Sequence, residues 1–225
     1  LTGASGGIGA ALCDELVAAG ARVLAVGRDQ ARLDKLAKRH EPGNIMPFAA
    51  DITLAEDRAA LVAFARTVQP TPSLLVLAHA QGAFGLFQDQ CEARMQQMLD
   101  ANLTAPLLLI HALLPTLQAH PRSAVVAVGS TFGSLAFPGF AAYSASKFGL
   151  RGLHEVLVAE YRGTGVKLSL LSPGPTDTAV WDPIDPDHQP HLPNRASMLR
   201  PADVAEAVLF LATRPPNVHV DWLRL

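Results

Sequence analysis

Tyr143 and Lys147 stand four residues apart, so on a helix they occupy one face. A free tyrosine titrates at about 10, too high for a base near neutrality, and a neighbouring ammonium favours the phenolate and lowers that value. From Ser123 to Leu150 the only charged residue is Lys147. Set among Ala142, Ser144, Ala145 and Ser146, its ammonium is costly to bury without a partner. Ser130 follows an apolar run that reads as a strand, and its hydroxyl could hold a carbonyl oxygen. The three together suit proton transfer at a carbonyl or alcohol carbon. A core tyrosine beside a snorkelling lysine would have the same spacing.

A second constellation opens the chain, Thr2-Gly3-Ala4-Ser5-Gly6-Gly7-Ile8-Gly9. Its G-x-x-x-G-x-G spacing lets the backbone turn tightly and approach a pyrophosphate. A helix beginning near Gly7 would point free N–H groups at that phosphate. An ordinary glycine-rich turn is the alternative, but the helix and second strand that follow favour dinucleotide binding. That strand, Val23 to Val26, ends at Gly27, where no carboxylate can reach the ribose hydroxyl of NAD. Arg28 comes next and suits the 2′-phosphate of NADP. Asp29 reads as a helix N-cap and is the residue that keeps NAD(H) open.

Short apolar runs must position these groups. Val23–Val26, Leu74–Leu77, Val125–Val128 and Leu168–Leu171 read as buried strands. Helical periodicity covers Ile8 to Ala19, with Gly20 at its end, and about 29–40, 54–68, 92–118, 141–162 and 202–213. Strands alternating with helices predict an α/β fold with a parallel sheet covered on both faces, in one domain over 1–225. The Pro- and His-rich stretch 175–200 is expected to be a mobile substrate loop. Trp181, Val180, Phe137 and Phe132 either line an apolar pocket or pack in the core. The chain opens at Leu1-Thr2-Gly3, so the first strand is expected to be cut short and a targeting signal is left open.

Composition bounds the function. At 225 residues, with 49% hydrophobic and 17% charged, the chain can bury a substantial core. A net charge of −2 carries no basic footprint for nucleic acid. Two cysteines imply no disulfide framework and a reducing, cytoplasmic setting. No run approaches the roughly 20 apolar residues of a membrane span. His188 and His191 lack a third ligand, so no metal site is expected.

On these motifs the chain resembles the short-chain dehydrogenase/reductases of the common short subtype. Thr2–Gly9 is similar to the family's TGxxxGxG cofactor motif, with Gly3, Ser5, Gly7, Ile8 and Gly9 at its core. Tyr143-Ser144-Ala145-Ser146-Lys147 resembles YxASK, and Ser130 lies 13 residues before the tyrosine. Asp100-Ala101-Asn102-Leu103 resembles the segment with the catalytic asparagine, Asn102. Pro173-Gly174-Pro175-Thr176-Asp177-Thr178 resembles PGxxxT, and Ala50-Asp51-Ile52 the segment at the adenine.

The resemblance implies a three-layer, doubly wound sheet of about seven strands in order 3-2-1-4-5-6-7. It implies an NADP(H)-linked oxidoreductase of small carbonyl or alcohol compounds, working as a homodimer or homotetramer. Tyr143 would move the hydroxyl proton, and Lys147 would lower its pKa and bind the nicotinamide ribose. Ser130 would orient the substrate oxygen, Asn102 would hold a relay water, and Thr178 would sit at the carboxamide. An NAD-linked enzyme of the same family is the alternative. So is a non-catalytic sensor, which would have no need of Ser130, Tyr143, Lys147 and Asn102 together. One motif departs: where the family has NNAG, this chain reads Leu77-Ala78-His79-Ala80. A structural histidine is expected there, replacing a lost asparagine bond.

Overall fold

The apolar runs become strands and the periodic stretches helices, as the alternation requires. The computed structural model describes residues 1–225. In chain order the elements are α1 (Gly7–Ala18), β1 (Val23–Gly27), α2 (Gln30–Ala37), β2 (Ile45–Ala49), α3 (Ala55–Thr67) and β3 (Leu74–Leu77). There follow α4 (Glu92–Leu99), α5 (Ala105–Gln118), β4 (Ser123–Val128), α6 (Ala141–Glu160), β5 (Val166–Ser172), α7 (Pro201–Ala212) and β6 (Trp222–Arg224). A π-turn over Asp100–Thr104 joins α4 to α5 without a break. The predicted helix over 92–118 is therefore continuous. Gly20 follows α1 with φ +84°, a left-handed conformation that glycine adopts at little cost.

All strand pairs are parallel: β1 with β2, and β3-β4-β5-β6 in succession. Thr2 bridges the two sets. It pairs with Val26 of β1 and Leu77 of β3, and its N–H donates to Val76 O at 2.9 Å. The sheet thus runs β2-β1-(Leu1–Thr2)-β3-β4-β5-β6, which is the expected 3-2-1-4-5-6-7 order with Leu1–Thr2 in first place. Two strands escape the sequence reading. β2 contains Pro47, which argues against a central strand; here it lies at the edge, paired only with β1. β6 is three residues long and closes the opposite edge.

The two faces carry separate cores. Leu61, Leu109, Leu113, Leu117, Leu150 and Leu168 pack on one face, under α3, α5 and α6. Leu12, Val126, Leu171, Val204 and Val208 pack on the other, under α1 and α7. One helix meets a bilayer span by length and composition only. Glu92–Gln118 is 27 residues long and apolar enough, but half of its most apolar stretch is buried, with Leu109, Ile110, Leu113 and Leu114 in the core.

Residues 175–200 contain no long helix, as their prolines dictate. Three short 3₁₀ turns, Ala179–Trp181, Pro186–His188 and Arg195–Ser197, are drawn together by a Thr176–Leu199 bridge. Arg195 pairs with both Asp177 and Asp182 inside this loop.

Candidate active site

A cavity of about 470 Å³ opens where β1, β3, β4 and β5 end. That is the carboxyl edge at which open α/β sheets bind ligands. Glycines form one end. Gly3 has φ +71°, and a Cβ there would lie 2.8 Å from the His79 backbone. A Cβ on Gly9 would sit 2.0 Å from Gly3 O, so no other residue fits. α1 starts at an N-cap, Gly6, that offers no side-chain acceptor, and its first turn has no acidic residue. Its leading N–H groups and positive dipole end are therefore available to an anion in the cavity. This end fits a pyrophosphate. The segment after β5 covers it: Pro173, Gly174, Thr176 and Thr178 all line the cavity, and a Cβ on Gly7 would meet Thr178 Cγ2 at 2.9 Å.

Beyond the glycines lies a rim with two cations. Arg28 is exposed on it. Arg32, which the sequence reading passed over, stands one helical turn further on and lines the same rim; it donates to Ser5 O at 2.7 Å. Its place in the first turn of the helix that follows Arg28 was the available clue. Asp29 is spent as the N-cap of α2, accepting from Arg32 N at 3.0 Å. A Cβ at Gly27 would come within 2.8 Å of Ser5 Oγ. Asp51 accepts from Thr53 N at 3.0 Å and Thr53 Oγ1 at 2.7 Å, and Ile52 is buried beside it. Burial disfavours the Asp51 charge, but the Thr53 bonds and nearby Arg28 outweigh it and hold the carboxyl below its ordinary value.

Ser130, Tyr143 and Lys147 meet at the other end. Lys147 is only 2% exposed, and its Nζ donates to Val128 O at 3.0 Å. Burial pushes its pKa down to about 8. Nζ lies 5.8 Å from the centre of the Tyr143 ring. Ser130 caps the turn after β4, accepting from Phe132 N at 3.1 Å. The expected lowering of the Tyr143 pKa by Lys147 is not met. Burial raises the phenol above its ordinary value, and the Ser130 hydroxyl pulls it only partly back. The lysine, itself desolvated and turned to a carbonyl, is a weak stabiliser of phenolate.

Asn102 makes three hydrogen bonds. Its Oδ1 accepts from Gln81 N at 2.8 Å, and its Nδ2 donates to Gln81 O at 2.8 Å and Ser146 Oγ at 3.0 Å. At 1% exposure its amide joins the segment after β3 to α6, one residue from Lys147; both Nδ2 hydrogens are spent, and only the second lone pair of Oδ1 is left for a water. His79 works beside it. One ring nitrogen meets Thr2 Oγ1 at 2.6 Å and the other Ala101 O at 2.8 Å. A carbonyl only accepts, so Nε2 carries the hydrogen and Nδ1 accepts from the threonine. Burial pushes His79 down to about 4, which keeps it neutral near pH 7. An imidazole thus ties the residue before the glycine loop to the π-turn, where the resembled motif has asparagines. His188, by contrast, pairs with Asp185 on the surface of the loop.

The family model for short chain dehydrogenase matches residues 1–189. An uncharacterized oxidoreductase of Staphylococcus aureus (strain MW2) is 28% identical over 221 residues, 98% of this chain and 93% of that one. A short chain dehydrogenase/reductase family oxidoreductase from Burkholderia thailandensis superposes with a TM-score of 0.87 at 31% identity, covering 99% and 88% of the two chains. A metagenomic short-chain oxidoreductase, solved in complex with NADP, superposes with a TM-score of 0.85 at 28% identity, covering 100% and 94%.

Proposed function

The chain belongs to the short-chain dehydrogenase/reductase family of oxidoreductases, and on that premise we propose that it is an NADP(H)-dependent reductase of small carbonyl compounds. The observation that carries this reading is one cavity with an anion-ready helix start at one end and Ser130, Tyr143 and Lys147 at the other. Residues 1–225 act as one nucleotide-binding domain.

Arg28 and Arg32 would hold the 2′-phosphate, while Asp29, committed to its cap, is not free to bind a ribose hydroxyl. The NADP held by the metagenomic relative supports the same choice. The first turn of α1, with Gly3, Ser5, Gly7, Ile8 and Gly9 around it, would hold the pyrophosphate. Asp51 and Ile52 would border the adenine, and Pro173, Gly174, Thr176 and Thr178 the nicotinamide side. A nicotinamide dinucleotide bound there supplies the hydride.

Tyr143 is the proton donor. Its raised pKa keeps the phenol protonated at neutral pH, the form that reduction needs. The Ser130 hydroxyl orients the carbonyl oxygen toward it. Lys147, held against Val128 O, places positive charge near the phenol while protonated and would hold the nicotinamide ribose. Asn102 and His79 act through position, fixing the loop after β3 that walls the site. A homo-oligomer would bury the exposed Leu107 and Leu108 on α5 and Phe148 on α6.

The test is Tyr143→Phe, which keeps the ring and deletes its exchangeable proton. NADPH binding by thermal shift should persist. Turnover on a ketone panel should fall by about 10²–10⁴-fold. A phenylalanine variant with near wild-type turnover would refute the proton-donor role.

A further inference from the structure

The cavity wall beyond Tyr143 is aromatic. Phe132 stacks on Phe137 with ring centres 4.2 Å apart and meets Phe140 edge-on at 4.8 Å. Phe140 in turn packs against Tyr143 and Trp181, both at 6.4 Å. The Trp181 indole N–H is spent on Thr176 O at 3.1 Å, so its ring adds apolar surface without a free polar group. Outside the cavity, Phe84 and Phe137 are 44% and 43% exposed, and each braces a buried ring that lines it, Phe140 and Phe132 respectively. Gly82 leaves the space between Val180 and Tyr143 open. A Cβ there would lie 3.6 Å from Val180 Cγ2 and 3.9 Å from Tyr143 Cδ2.

The charges are all elsewhere or already paired. Arg28, Arg32 and Asp51 line the glycine end. Lys147 faces Val128 O, and His79 is held between Thr2 and Ala101. Arg195, in the loop over the site, is neutralised by Asp177 and Asp182. A substrate carboxylate or phosphate beside Tyr143 would lose its water and find no free cation, which is costly. A flat apolar ring would instead meet aromatic faces and edges at favourable packing distances.

We infer that the substrate is an uncharged carbonyl compound, or the matching alcohol, bearing an aromatic ring beside the reacting carbon. The site excludes hydroxy acids, amino acids and sugar phosphates. The inference rests on the reductase reading above. In the reduction the C=O π bond breaks, its carbon gains the nicotinamide hydride and its oxygen gains the Tyr143 proton. The products are an alcohol, the oxidised cofactor and the Tyr143 phenolate, which regains its proton from solvent before the next turnover.

The experiment compares 4-methylacetophenone with 4-acetylbenzoate, which differ by a methyl against a carboxylate. kcat/KM is measured with NADPH, and binding to the NADP-loaded protein by calorimetry. The neutral ketone should be preferred by at least about a hundredfold. Val180→Arg, at an exposed position on this wall, should narrow that gap at least about tenfold by improving the carboxylate. Phe137→Ala and Phe84→Ala, which remove the exposed braces behind Phe132 and Phe140 and so loosen the aromatic wall, should raise KM for the ketone roughly three- to tenfold. NADPH affinity should not move. Equal or better use of 4-acetylbenzoate, no binding of either compound, or an unchanged KM in both alanine variants would overturn the substrate class. Selective binding of the neutral ketone without turnover would support the class and sink the reductase reading instead.

Discussion

Replacing Lys147 by methionine should make this protein more stable and less active at once. The side chain is almost wholly buried, and burial lowers its pKa from 10.5 to about 8. Each pKa unit corresponds to about 1.4 kcal/mol, so below pH 8 the folded state carries a penalty of roughly 3 kcal/mol for holding the ammonium. Methionine removes that penalty and fills similar volume. It also leaves Val128 O without its 3.0 Å partner, at a cost of about 1–3 kcal/mol. The net gain at pH 7 is therefore of order 1 kcal/mol, or a few degrees in Tm for a chain this long.

The pH dependence is the sharper readout. Between about 8 and 10.5 the unfolded lysine binds a proton that the folded one does not, so wild-type stability rises with pH across that window. The methionine variant has no such slope. Its advantage in urea denaturation should shrink by about 2 kcal/mol between pH 7 and pH 9.5. Turnover should be low throughout, and NADPH binding weakened. A difference between the two proteins that is the same at both pH values would refute the picture of a desolvated ammonium.

Three further outcomes follow from the same structure. Arg28→Ala and Arg32→Ala should each weaken NADP binding about ten- to a hundredfold and leave NAD nearly unchanged; titrating both dinucleotides checks this, and equal losses would discard the 2′-phosphate assignment. His79→Leu strands the Thr2 hydroxyl and the Ala101 carbonyl and should cost about 2–4 kcal/mol at pH 7.5. The wild-type imidazole, held at about 4, loses its stabilising contribution as pH falls below 6.5, so that cost should be about 2 kcal/mol smaller at pH 5; an equal cost at both values would contradict a neutral His79. Leu107→Glu with Phe148→Glu should convert a dimer or tetramer to monomer in light scattering, and an unchanged mass would move the interface off α5 and α6.

Much of the site is legible in the chain because its chemistry is written in local spacing. Four residues on a helix put Tyr143 and Lys147 together, three glycines shape the turn into α1, and apolar runs mark the four central strands. The single helical stretch over 92–118 follows from the same patterns, while the order of strands comes only with the family resemblance. The sequence alone also points to His79 as a structural group. What it cannot carry is the outcome of contacts between distant segments. Arg32 joins Arg28 only because α2 folds back over Ser5. Asn102 is held by Gln81, after β3, and Ser146, in α6. β2, with its proline, becomes a strand only because an edge asks for one set of backbone bonds. The clearest case is Tyr143. Spacing promises a nearby ammonium and a lowered pKa, yet packing buries the lysine and half-buries the phenol, and desolvation moves the tyrosine up and the lysine down. Periodicity encodes which face a side chain takes; how much water remains around it is set by everything that packs against that face.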